Sequence, residues 1–230
     1  LWAHTMAVTY LAHAPAPARA GRLVQLSNGD RPGVTAMAAG LKQVAGLGPV
    51  PLIAHGADDD LRTSGPIHWA SNVFDDSLIV LPARRPDGAT LVAVVDADSA
   101  GITVNPAPTL MALGATASTS LHLDDVAVRP EQILTWNMAG FVSTIRPAFL
   151  LLQTAFCVGV AGAALDGAQR SRGELAQLFS LERTELGRQL HQLRATLYTL
   201  ADRSPDTDLA DIIRLRLDAA TTAVNATRLE

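Results

Sequence analysis

The sequence holds one cysteine, Cys157, one lysine, Lys42, and little charge of either sign; Asp, Glu, Lys and Arg make up 17% of its 230 residues. A lone cysteine closes no intrachain disulfide, and no Cys/His pairs stand at ligand spacing. Disulfide-framework, zinc and dithiol-redox readings therefore fall away, and a reduced, cytoplasmic setting is the expectation. The basic residues form no run and the net charge is −4, which opposes the counterion release that nucleic-acid binding needs. Charge below the usual ~25% implies that part of the surface is covered by another chain or a ligand. Several catalytic signatures are also missing. There is no G-x-S-x-G elbow, no P-loop, no G-x-G-x-x-G, and no i,i+4 histidine pair among the six histidines, so hydrolase, Rossmann and zincin readings lack support. No charged segment precedes an apolar stretch at the start, so no secretory signal is expected there. Because the first residue is Leu1, the expectation is a chain that starts in mid-protein or was processed.

Against these absences stands a hydrophobic content of 48%, enough for a sizeable core in one or two domains. Three zones differ in texture. Residues 1–30 are Ala-rich and helical in pattern, broken at Pro15 and Pro17, with Asn28-Gly29 suiting a left-handed helix end. Residues 31–138 carry most of the prolines and short apolar runs: Val50–Ala54, Ser77–Leu81, Leu91–Val95, Ile102–Val104 and Val126–Val128. Asp87-Gly88 between two of them reads as a hairpin turn, and strands so spaced imply an antiparallel sandwich or barrel. Residues 139–230 turn helical. Ala148–Leu165 runs without a charge, but Gln153, Thr154 and many small residues favour a buried bundle helix over a membrane span. Leu186, Leu190, Leu193, Leu197 and Leu200 repeat at 4-3-4-3, a packing seam. Ser204-Pro205 suits the start of a last helix, with Leu209, Ile213, Leu217, Ala220 and Val224 on one face. The fold class expected is α+β: a helical start, an antiparallel β-barrel or sandwich, and an up-down helical bundle.

Chemistry concentrates in two segments. Gly33–Gly40 is a loop of small residues that lets backbone N–H groups approach a ligand, with Thr35 offering a hydroxyl. Ser64–Asn72 places Trp69 two residues before Ser71, an arrangement able to stack on a flat ring and hydrogen-bond its edge. An ordinary core tryptophan followed by a Ser-Asn turn is the competing reading of the same residues. The acidic groups Asp58-Asp59-Asp60 and Asp124-Asp125 read as solvated turns, and no metal site is expected.

In order along the chain, these segments resemble the acyl-CoA dehydrogenase family over nearly the whole length. Its Thr-Glu-Pro-x-Ala-Gly-Ser-Asp motif is met by Thr35-Ala36-Met37-Ala38-Ala39-Gly40-Leu41-Lys42. Its Gly-x-Lys-x-Trp-Ile-Thr-Asn motif is met by Gly65-Pro66-Ile67-His68-Trp69-Ala70-Ser71-Asn72. Leu113-Gly114 and Asp124-Asp125-Val126-Ala127-Val128-Arg129-Pro130 fit the loop and strand that close the β domain. Arg146–Ala168 is similar to the first bundle helix, including Gly159, Ala161, Ala164 and Leu165.

The resemblance implies FAD, with Thr35 at the pyrimidine edge, Trp69 against the isoalloxazine and Ser71 near N5 and O4. It implies α,β-dehydrogenation of an acyl-CoA thioester with hydride passed to flavin N5, electrons handed on to a carrier protein, and a homo- or hetero-oligomer assembled through the bundle. The departures are equally specific. Ala36, Met37, Leu41 and Lys42 replace four motif residues, the Ser-Asp pair among them, which puts a CoA ester in question. Arg170, Ser171, Arg172 and Gly173 only partly echo the family's Arg-x-x-Phe-Gly. The family's usual catalytic Glu maps beyond Glu230, so no catalytic residue is nominated. A monooxygenase or oxidase on the same scaffold, and a catalytically degenerate partner subunit, are the alternatives.

Overall fold

A computed structural model of the chain describes residues 1–170, 178–203 and 208–229. Ser204-Pro205 and the Ser171-Arg172-Gly173 echo lie outside the described residues. The chain divides into two compact units, Leu1–Ile145 and Arg146–Glu230.

The first unit opens with helices α1 (Trp2–Ala12), α2 (Ala16–Arg19) and α3 (Arg22–Asn28). Pro15 and Pro17 separate α1 from α3, and Pro17 is accommodated in the first turn of α2, where a backbone N–H has no helical partner. Gly29 ends α3 at φ 77°, the left-handed conformation expected of it. Helix α1 is buried along Met6, Ala7, Tyr10 and Leu11. His4 fastens it to its neighbours: Nε2 donates to the carbonyl of Leu26, so Nδ1 is free to accept the Gly33 N–H, each at 3.0 Å.

Eight strands follow: β1 (Gly33–Thr35), β2 (Ile53–His55), β3 (Leu61–Ala70), β4 (Leu78–Arg84), β5 (Thr90–Asp96), β6 (Ile102–Val104), β7 (Thr119–Val128) and β8 (Ile133–Thr135), with helix α4 (Ala38–Val44) between the first two. They form one sheet in the order β6-β7-β3-β2-β4-β5-β8, with β1 joined to β4. The β4–β5 hairpin turns at Asp87-Gly88 as expected, in register from Leu78↔Asp96 to Arg84↔Thr90. Both strands are apolar on both faces, and Ile79, Val80, Leu81, Val92, Val94 and Val95 are fully buried, each contributing on the order of 1.5–3 kcal/mol.

The sheet is not wholly antiparallel. Both β1 and β2 run parallel to β4, β1 along Leu78–Val80 and β2 at Arg84. Leu81–Ala83 therefore has no strand on that side, and Pro82, which has no N–H to give, occupies the gap. Helix α4 covers it: a Cβ on Gly40 would meet the Pro82 ring and the Met138 sulfur, so only glycine allows this approach.

Helix α5 (Met138–Arg170) begins in the first unit, where Phe141 packs its ring 6.0 Å from that of Tyr10. By length and composition it is long and apolar enough to cross a membrane, and 33% of its most apolar window is buried. In the second unit it packs with α6 (Ser180–Arg203) and α7 (Leu209–Thr227). Their core joins Leu151, Val158, Ala161 and Leu165 to Leu186, Leu190 and Leu197 of the leucine seam and to Ile212 and Leu215. Asp208 caps α7 by accepting the Ala210 N–H. The inner face of α7 is Ile212, Leu215, Ala219, Ala223 and Ala226, not the face expected from the sequence. Ile213, Leu217 and Val224 of the expected face are exposed. The helix is apolar on two sides, and its alanine-rich side permits the closer approach.

Candidate functional site

The two segments singled out in the sequence meet at one end of the sheet. Thr35, the last residue of β1, and Ser71, just past the end of β3, form an isolated antiparallel bridge. Asn72 holds the junction. At φ 71° it adopts the left-handed conformation that asparagine tolerates better than most residues. Its Nδ2 donates to the Gly33 carbonyl at 3.0 Å and its N–H to the Thr116 carbonyl at 2.9 Å. Three pieces distant in sequence are thereby joined: β1, the end of β3, and the loop before β7.

Next to this junction β3 slips in register against β7 between Ile67 and Ala70. A bulge breaks the two-residue alternation of side chains, and His68 and Trp69 are consecutively exposed. Trp69 leaves 48% of its surface open. It lines a cavity of about 300 Å³ together with Ala36, Ala38, Ala39, Lys42, the Leu47–Leu52 segment and Pro82. This cavity lies at the stretch of β4 that neither β1 nor β2 covers. Its apolar walls and few polar groups have the character of a small-molecule site.

Hydroxyl groups are the chief polar equipment of the junction. Thr35 Oγ1 lies 3.1 Å from the Tyr10 hydroxyl. Burial of Tyr10 disfavours its phenolate and pushes the phenol up to about 12, against a smaller opposing effect of the Thr35 hydrogen bond. Ser71 Oγ lies 2.7 Å from Ser118 Oγ, which is 2.8 Å from Thr116 Oγ1, and Thr116 donates to the Leu113 carbonyl at 2.8 Å. Leu113 and Ala117 are both left-handed, at φ 64° and 46°.

No protein-family profile matches the chain, and no curated protein matches it in sequence. Solved structures do. Glutaryl-CoA dehydrogenase in its glutaryl-CoA complex matches with a TM-score of 0.81 over 100% of this chain, at 19% identity. The chain has the acyl-CoA dehydrogenase fold. A glutaryl-CoA dehydrogenase from Mycobacterium smegmatis in complex with FADH2 matches at TM-score 0.74 over 96% of this chain, with 16% identity. Dibenzothiophene monooxygenase from Paenibacillus sp. A11-2 matches at TM-score 0.67 over 98%, with 18% identity. The chain spans 63%, 60% and 63% of the length of these three structures.

Within this acyl-CoA dehydrogenase fold, Thr35 and Ser71 come together at the bridge, and Trp69 sits two residues away on the bulge. Tyr10, Thr116 and Ser118 went unrecognised in the sequence. Tyr10 lies in an alanine-rich helix without a motif around it. The run Thr116-Ala117-Ser118-Thr119-Ser120 is a concentration of hydroxyl residues that marks the loop in retrospect. The acidic groups face arginine and histidine: Asp60 and Asp125 face Arg62 at 3.3 and 3.4 Å, Asp125 also meets His55 at 3.2 Å, and Asp58 pairs with Arg85. Among the described residues no three His, Cys, Asp or Glu side chains are grouped to hold a metal ion.

Proposed function

We propose that the chain is part of an FAD-dependent oxidoreductase of the acyl-CoA dehydrogenase type, acting on the α,β-carbons of an acyl-CoA thioester. The observation that carries this reading is the bridge between Thr35 and Ser71, with Trp69 two residues before Ser71, in a fold shared with glutaryl-CoA dehydrogenases. These residues suit a flat ring with a polar edge. Trp69 offers a half-exposed aromatic face. Ser71 and Thr35 offer hydroxyls already held in place by Ser118 and Tyr10. Ala36–Gly40 carries no long side chain except Met37, which is buried, so the backbone stays open to a ligand.

FAD, when bound, supplies the hydride acceptor; the protein's part is to bind and orient it. The thioester acidifies the α-proton for a carboxylate base, a role given to no residue of this chain. A carrier protein would be the partner that takes up the electrons. The helical unit would assemble with a second copy or a related chain, for which the outward apolar face of α7 is the support.

A second reading is favoured by Leu41 and Lys42, which stand where the family motif has Ser-Asp, and by the likeness to dibenzothiophene monooxygenase. It is an oxygen-using flavoenzyme whose substrate carries no CoA. The visible spectrum of the purified protein incubated with FAD tests the first step, and absence of bound flavin overturns both readings. Anaerobic bleaching of the flavin by a panel of acyl-CoA esters supports the dehydrogenase. Oxygen consumption without such bleaching supports the second.

A further inference from the structure

The loop that closes on Ser71 sets the direction of its hydroxyl. A carbonyl oxygen only accepts, so the single hydroxyl hydrogen of Thr116 is engaged by Leu113 at 2.8 Å. The 2.8 Å contact between Thr116 Oγ1 and Ser118 Oγ then requires Ser118 to donate. With that hydrogen engaged, the 2.7 Å contact between Ser118 Oγ and Ser71 Oγ requires Ser71 to donate. Ser118 is only 4% exposed, and a buried hydroxyl left without its partners is costly. Backbone bonds hold the loop in place beside Ser71: Asn72 and Val73 donate their N–H groups to the carbonyls of Thr116 and Ala117, at 2.9 and 3.0 Å. The left-handed Ala117 is a strained conformation that persists only where its surroundings impose it.

We infer that Ser71 meets a ligand as an acceptor only, and that the Thr116–Ser118–Ser71 chain makes the site favour FADH2 over FAD. This rests on the reading above that Ser71 faces the flavin edge near N5. Reduction places a hydrogen on N5, turning that atom from an acceptor into a donor. An acceptor-only Ser71 complements the N–H of FADH2 and leaves the bare nitrogen of FAD unmatched. Thr116 and Ser118 are positioning residues, because both act through Ser71.

The test is the midpoint potential of the FAD-loaded protein, measured by spectroelectrochemical titration in the unaltered chain and in Thr116→Val, Thr116→Ser and Ser118→Ala. Thr116→Val keeps the shape but removes the hydroxyl that engages Ser118. Ser118 is then free to donate to Ser71, and Ser71 to the ligand. The preference for FADH2 over FAD should fall about tenfold, read as a drop of about 30 mV for a two-electron couple. Ser118→Ala should lower the potential in the same direction, while Thr116→Ser should keep the original value. A purely structural role would weaken both redox forms alike and leave the potential unmoved. An unmoved or raised potential in Thr116→Val and Ser118→Ala, with flavin bound, overturns the inference alone. A protein that takes up no flavin overturns the flavin reading and the inference with it.

Discussion

The hydroxyl of Tyr10 on α1 and that of Thr35 at the end of β1 lie 3.1 Å apart, and the tyrosine is fully buried. One of the three residues expected to touch a cofactor is thus held by a helix that the sequence connects to it through no motif. The contact ties the N-terminal helix to the edge of the candidate site.

Its first consequence is a pH dependence of stability. The phenol of Tyr10 is raised from 10.0 to about 12 by burial. Between those values the folded chain retains a proton that the unfolded chain has lost, so stability falls as the pH rises from about 10 to 12 and is unaffected by this group below 10. The loss is on the order of 2–3 kcal/mol. Tyr10→Phe should remove that alkaline decline while costing about 1 kcal/mol at neutral pH through the lost hydrogen bond. Urea unfolding of both chains at pH 8 and pH 11 measures it; parallel alkaline losses in the two would contradict the assignment.

Trp69→Ala should weaken FAD binding about tenfold, the effect of losing an aromatic stacking contact of about 1–1.5 kcal/mol. Because Trp69 is half exposed on the bulge of β3, folding should be little affected. Equilibrium dialysis against FAD, with thermal unfolding as the control, separates the two. Equal flavin retention in the variant would remove Trp69 from the site.

Strands β4, β5 and β6 were legible because apolar runs bounded by turn residues leave few alternatives, and Gly29 and Asp87-Gly88 because their backbone conformations suit glycine. The full extent of β3 was not. Ser64, Gly65 and Pro66 argue locally against a strand, and only pairing with β7 and β2 makes one. Strands β1 and β8, three residues each, depend wholly on their partners. The inward side of α7 was not legible, because Leu and Ile outweigh Ala on a hydropathy scale while close helix packing favours Ala. Thr35, Trp69 and Ser71 were legible as candidates through their motifs. Tyr10 and Ser118 were not, since a hydrogen bond between two hydroxyls leaves no periodic trace in a sequence.

Gly101 and Gly88 offer a paired test of the backbone. Both sit near φ +91°, a conformation costing roughly 1–2 kcal/mol for an L side chain. A Cβ on Gly101 would run into the carbonyl oxygen of Asp124, whereas one on Gly88 would meet open space. Gly101→Ala should therefore destabilise clearly more than Gly88→Ala, by at least a further 1 kcal/mol or so. Equal shifts in thermal midpoint would mean that β6 and β7 separate at no cost.

The two apolar sides of α7 should respond oppositely to substitution. Ile212 is fully buried in the core of the helical unit, and Ile212→Ala should cost about 2–5 kcal/mol through the transfer term and the cavity left behind. Leu217 and Val224 are 63% and 52% exposed, so replacing either by glutamate removes little packing within the chain and should change stability by no more than about 0.5 kcal/mol. If the outward face is the assembly surface, the same glutamates place charge in an interface that must exclude water, where an unpaired charge is strongly unfavourable. Sedimentation of the unaltered chain should then show a species larger than one chain, and the Leu217→Glu, Val224→Glu double variant should shift it toward the single chain with the thermal midpoint nearly unchanged. A double variant that sediments like the unaltered chain would place assembly elsewhere, because two charges on the contact face could not leave a buried interface intact.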